Sequence, residues 1–129
     1  MTRSIPRTIF LGATWLFVAC CVIQVFLAGL GVFDDASAFI THTNFGYLFG
    51  WLIIVMLVAA IVGRMGRVYI GGAALLVVLF ALQSVFVALR TDMPAVAALH
   101  PLNGFAILLV GVLLGWRAWN HRGAASGNL

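Results

Sequence analysis

The chain has 129 residues, of which 64% are hydrophobic and 8% charged, with a mean hydropathy of +1.18 and a net charge of +4. So few charged side chains cannot clothe a water-soluble domain of this length, so the composition excludes that class and points to the membrane. The positive charge is carried by seven Arg and no Lys, and these sit at the edges of apolar runs, which argues against a nucleic-acid partner.

Four apolar runs follow one another, roughly over 9–33, 45–62, 68–89 and 102–119. At about 1.5 Å of rise per residue each is long enough to cross about 30 Å of hydrocarbon. The breaks are Asp34-Asp35, Arg64-Met65-Gly66-Arg67 and Arg90-Thr91-Asp92-Met93-Pro94. Backbone exposed to lipid must satisfy its own hydrogen bonds, so the runs are predicted to be helices. Short connections make neighbours antiparallel. The expected fold is an all-α membrane protein, one domain over 1–129, forming a four-transmembrane-helix up-down bundle with a polar cytoplasmic tail over 120–129. The first run has a basic start, but it is longer than the apolar part of a signal peptide and reads as a retained helix. Cys20 and Cys21 are adjacent within it, pointing about 100° apart, and read as buried small hydrophobes with no disulfide between them.

Arg3, Arg7, Arg64, Arg67, Arg117 and Arg122 fall on one side of this arrangement. Asp34, Asp35, Asp92 and Arg90 fall on the other. The asymmetry predicts that both termini face the cytoplasm, in the cell's inner (plasma) membrane. Trp116 and Trp119 then lie at the cytoplasmic interface.

The polar residues within or beside the runs are few: Gln24, His42, Asn44, Gln83, Arg90, His100 and Asn103. Strongly polar groups at membrane depth are costly and mark function. Their spacing repeats, since Gln24 and Gln83, His42 and His100, and Gly46 and Gly104 are separated by 59, 58 and 58 residues. Each half is therefore a hairpin with Gln in its first helix and His opening its second. The two repeats are parallel, because both start on the same side of the membrane.

Both His then lie at one depth near the outer interface. Gly46 and Gly104, four positions on, share a helical face with them and leave room for a flat ligand. Haem iron accepts neutral imidazole axially, so the pattern suits a bis-His haem b site with His42 and His100 as metal ligands. Duplicating a hairpin with one interfacial His would also yield two, so simple interfacial anchoring stays open. Gln24 and Gln83 suit either contact with a cofactor or hydrogen-bond glue between helices. Arg90, at the level of the histidines, suits a haem propionate, and equally Asp92 or a lipid phosphate. His121, beside Arg122, reads as solvated. Gly50, Gly63, Gly71, Gly72 and Gly111 are expected to allow close helix packing.

The repeated Gln-then-His hairpin, Gln24…His42-Thr43-Asn44-Phe45-Gly46 and Gln83…His100-Pro101-Leu102-Asn103-Gly104, resembles one four-helix half of the haem A synthase family. It also resembles small four-span bacterial membrane proteins of unknown function with the same pattern. The first resemblance implies His42 and His100 as axial ligands. That family's substrate half carries a Glu shortly before a His-Arg pair, whereas this chain reads Thr41-His42-Thr43 and contains no Glu.

The expected role is electron transfer or haem handling, with no catalysis by the chain itself. A membrane quinone or a redox partner protein would exchange the electrons. The competing reading is a non-catalytic accessory or scaffold subunit, held in a homo-oligomer or larger membrane complex.

Overall fold

Helix follows wherever the chain is apolar, and it outruns the apolar stretches at several ends. The structure, a computed structural model, describes the backbone of residues 4–126 and the side chains of 5–121. Five helices make it up: α1 Ser4–Phe33, α2 Ala38–Val62, α3 Arg67–Ala88, α4 Pro94–Ala97 and α5 Leu99–Ser126. Four candidate spans are long and apolar enough to cross a membrane, the last running from Pro94 through His121. Arg3, the Arg122 side chain and the end of the tail, 127–129, lie outside the described residues.

Helix starts five residues early at Ser4 and seven early at Ala38, and it runs seven past 119 to Ser126. The second helix begins at Ala38, not near 45, so His42 stands in its second turn and does not open it. Polar side chains at 41–44 lower hydropathy but do not stop a helix, whose bonds are made by the backbone. Asp35 starts the turn by accepting from the Ser37 amide at 2.9 Å and the Ser37 hydroxyl at 2.8 Å. Residues 120–126, expected as a polar tail, continue α5 for the same backbone reason.

The second hairpin breaks where the first does not. Pro101 has no N–H and its ring crowds the carbonyl four residues back, that of Ala97. Ala97 is the last residue of α4, and α5 starts afresh at Leu99. The equivalent of Pro101 in the first repeat is Thr43, so α2 passes the same level unbroken.

Each long helix touches two others: α1 packs on α2 and α5, and α3 packs on α2 and α5. This is the up-down-up-down bundle expected, with Ser4 and Ser126 at the same end of it. Glycines seat the contacts, as small residues do between membrane helices. A Cβ on Gly31 would meet Phe39 at 2.8 Å, one on Gly50 would meet Phe80 at 2.6 Å, and one on Gly72 would meet Leu114 at 2.7 Å. Gly111 and Gly115 lie against Phe17, Val18 and Trp15, while Gly63 lies against Pro6. Gly71, expected in the same role, meets nothing within 4 Å.

The half of the bundle nearest the termini is solidly filled, by Phe10, Thr14, Phe17, Ile53, Met56 and Leu76. The Thr14 hydroxyl donates to the Phe10 carbonyl at 2.7 Å, whereas the Tyr69 hydroxyl in the same half is buried without a partner. Cys20 and Cys21 are buried and free. The outward surface is apolar, with Phe26, Ile40, Leu48 and Trp51 all more than 60% exposed, as suits a lipid-facing wall. Trp116 and Trp119 are exposed at the termini end.

Candidate functional site

The other half of the bundle is hollow. A cavity of about 290 Å³ lies between all four long helices, and His42, His100, Gln24, Gln83, Gly46 and Gly104 all line it. The rest of its lining is mostly apolar, with Thr43, Tyr47 and Ser84 adding hydroxyls.

Each imidazole is held by the neighbouring helix of its own hairpin. His42 Nδ1 lies 3.1 Å from the Gln24 carbonyl oxygen, and His100 Nδ1 lies 3.3 Å from the Gln83 carbonyl oxygen. A carbonyl can only accept, so Nδ1 carries the hydrogen and Nε2 is left with the free lone pair. A backbone carbonyl on Nδ1 is the usual way of fixing a metal-binding His in one tautomer and one orientation.

The two rings face one another with centroids 6.2 Å apart and planes inclined at 54°. An imidazole nitrogen bonds a transition metal at about 2.0 Å and lies about 1.1 Å from its own ring centre, so two imidazoles on opposite sides of one ion have centroids about 6.2 Å apart. The spacing suits a pair of axial ligands. Among the described residues no group of three or more His, Cys, Asp or Glu could hold a metal ion, so any metal here would need ligands beyond the protein's own.

Under each imidazole sits a glutamine rather than a gap. Gln24 Nε2 donates to the His42 carbonyl at 2.7 Å, and a Cβ on Gly46 would lie only 2.9 Å from that nitrogen. A Cβ on Gly104 would likewise lie 3.3 Å from Gln83 Nε2. The glycines let an amide lie flat on the facing helix, which is how they serve the site, although both also border the cavity. The two halves differ in how the amides are completed. Asn103 Nδ2 donates to Gln83 Oε1 at 2.8 Å and to the Leu79 carbonyl at 2.8 Å. The equivalent residue in the first repeat is Phe45, and Gln24 Oε1 is buried without a partner.

The cavity obeys the repeat throughout. Shifting by 59 along the first helices pairs Cys21 with Phe80, Gln24 with Gln83, Val25 with Ser84 and Ala28 with Val87. Shifting by 58 along the second helices pairs His42 with His100, Thr43 with Pro101, Gly46 with Gly104, Tyr47 with Phe105 and Phe49 with Ile107. Only Leu108 lacks a lining mate, because its equivalent is Gly50, over which the Phe80 ring lies.

The remaining polar residues fall elsewhere. Arg90 does not line the cavity; its guanidinium donates to the carbonyl of Val87, which does, at 3.3 Å. Asn44 is exposed on the far side of α2 from the cavity residues. His121 is exposed as expected, and its ring lies edge-on to Tyr69 with centroids 6.4 Å apart. Thr43, Tyr47 and Ser84 were not singled out by sequence reading. They stand one residue from His42, Gly46 and Gln83, and laying a helical face over the repeat would have found them.

Residues 24–92 match the profile of a family of unknown function, DUF6220. The matched segment holds Gln24, His42, Gly46, Gln83 and Arg90, while His100 and Gly104 lie beyond it. No curated protein and no solved structure matches the chain. The match spans more than half of the residues, and it takes in α2 and α3 whole and the last third of α1; the chain belongs to the family of unknown function DUF6220.

Proposed function

We propose that the protein is an integral membrane b-type haem protein, with His42 and His100 as axial ligands near the outer face, serving electron transfer or haem handling. The single observation that carries the reading is the facing imidazole pair, 6.2 Å between centroids, with both Nδ1 atoms engaged by backbone carbonyls. Each has its Nε2 free to ligate, and the spacing is that of two imidazoles sharing one ion.

The surroundings fit the group. The cavity, at about 290 Å³, is near the lower bound of about 300 Å³ for cofactor pockets, and its exposed rim lets a macrocycle extend past the enclosed part. Its walls are apolar, as a porphyrin requires. Bound there, haem would supply one-electron chemistry, and two protein ligands leave no open position for a substrate. The chain's own residues hold and orient. Gln24 and Gln83 brace the histidine-bearing helices, and Asn103 secures Gln83. The likeness to one half of haem A synthase supports the same ligand pair, and no catalysis is assigned.

The electrons would pass to or from a membrane quinone or a redox partner protein, with the chain alone, as a homo-oligomer or within a larger membrane complex. The basic ends of the helices argue for both termini on the cytoplasmic side of the inner membrane. Arg7, Arg64, Arg67 and Arg117 share the termini end of the bundle, whereas Asp34, Asp35 and Asp92 share the other.

The test is the absorption spectrum of the detergent-purified protein, oxidised and dithionite-reduced, beside the His42→Ala/His100→Ala variant. A sharp reduced α-band and Soret peak, lost in the variant, is the expected result. A protein that stays colourless when haem is supplied during expression would overturn the proposal and put the accessory-subunit reading in front.

A further inference from the structure

The repeat makes the cavity symmetric in shape, but not in chemistry. Exchange of the two hairpins carries the side between α2 and α3 onto the side between α5 and α1. On the α2–α3 side, Thr43 and Tyr47 lead up the face of α2 from Gly50, which packs on Phe80 of α3; Ser84 stands one turn above Phe80. Three hydroxyls therefore gather there, of which that of Thr43 already donates to the Phe39 carbonyl at 2.9 Å, leaving Tyr47 and Ser84 as the donors. Their equivalents on the α1–α5 side are Pro101, Phe105 and Val25, with no hydrogen-bonding side chain among them.

Charge does not follow this division. The guanidinium of Arg90, in the turn after α3, donates to the Val87 carbonyl at 3.3 Å. Its equivalent, Gly31, is covered by the Phe39 ring of α2, the other helix of its own hairpin, so the repeat puts Arg90 toward α4 and α5 and not over the hydroxyls. One side of the cavity thus offers hydroxyl donors, and the other offers only hydrocarbon.

We infer that the cavity holds its haem in one orientation, with the carboxylate-bearing edge on the α2–α3 side against Tyr47 and Ser84 and the apolar edge toward Val25 and Phe105. The inference rests on the haem reading above. A porphyrin of the b type carries both carboxylates on one edge and none on the opposite one, so it matches a cavity divided in this way. Hydroxyl donors to a carboxylate are charge-assisted and among the stronger hydrogen bonds. Burying a carboxylate edge on the apolar side would leave those charges without partners.

The test compares iron protoporphyrin IX with its dimethyl ester, each titrated into the full chain purified in detergent from haem-limited cells, with the reduced α-band reporting bis-His ligation. The wild type is expected to bind the free acid about tenfold or more tightly than the ester, from loss of charge-assisted bonds. That preference should vanish in Tyr47→Phe/Ser84→Ala and persist in Val25→Ala/Phe105→Leu, both still showing the bis-His spectrum. A bis-His spectrum with equal affinity for acid and ester would overturn the orientation and leave the axial ligands standing. So would a preference lost only in the Val25→Ala/Phe105→Leu variant. No bis-His spectrum with either compound would overturn both readings together.

Discussion

Gly46 and Gly104 occupy the same place in the repeat, yet alanine at the two should act in opposite directions. In a helix interior, Ala is favoured over Gly by about 1 kcal/mol. At Gly104 the new Cβ meets Gln83 Nε2 at 3.3 Å, a contact that a few tenths of an ångström of side-chain movement relieves. The Gln83 amide is also held from its other end by Asn103 at 2.8 Å, so its hydrogen bonding survives. At Gly46 the Cβ would stand 2.9 Å from Gln24 Nε2, the atom that donates to the His42 carbonyl. Moving it away breaks that bond, and Gln24 Oε1 already lacks a partner, so the whole amide is left buried and unsatisfied. That outcome costs about 1–3 kcal/mol, which outweighs the helix gain. Gly104→Ala should therefore be neutral to stabilising by up to about 1 kcal/mol. Gly46→Ala should be destabilised by about 1 kcal/mol, leaving the two variants about 2 kcal/mol apart. Reversible unfolding in mixed detergent micelles measures both. Equal shifts at the two positions, or a stabilised Gly46→Ala, would refute the role given to the Gln24 amide.

Other expectations follow from single residues. Asn103→Ala should cost about 1 kcal/mol in the same unfolding assay, because it strips Gln83 Oε1 of its partner within a membrane bundle. Gly66 has φ +98° and ψ 168°, a region essentially reserved for glycine, so Gly66→Ala should lose about 1–3 kcal/mol. Arg64, at φ +47°, should instead gain about 1 kcal/mol on change to Gly, from relief of left-handed backbone. Asp35 is held below the usual carboxylate range by hydrogen bonds from the Ser37 amide and hydroxyl. A depressed carboxyl stabilises the turn above its unfolded pKa and stops doing so as pH falls through the folded value. Carboxyl NMR titration should show Asp35 moving up toward its ordinary value in Ser37→Ala, and an unchanged midpoint would refute the assignment.

Sequence alone settled the class, the number of candidate spans and their up-down order, because a bilayer leaves an apolar chain few ways to satisfy its backbone. It also singled out the residues of the cavity's centre. In a membrane, polar side chains are rare enough that a repeated Gln, His and Gly stand out without any structure. Helix ends were less legible, since the apolar runs start at 45 and stop at 119 while backbone bonding runs from Ala38 and on to Ser126. The break between α4 and α5 was written in Pro101 and became visible only beside its unbroken equivalent at Thr43. Tertiary structure decided what no spacing could. Helix rotation is free in sequence, and packing on Gly31, Gly50 and Gly72 sets it. That rotation turns two histidines 58 residues apart toward one another at 6.2 Å, puts glutamine amides where a gap was expected, and leaves hydroxyls on one side of the cavity only.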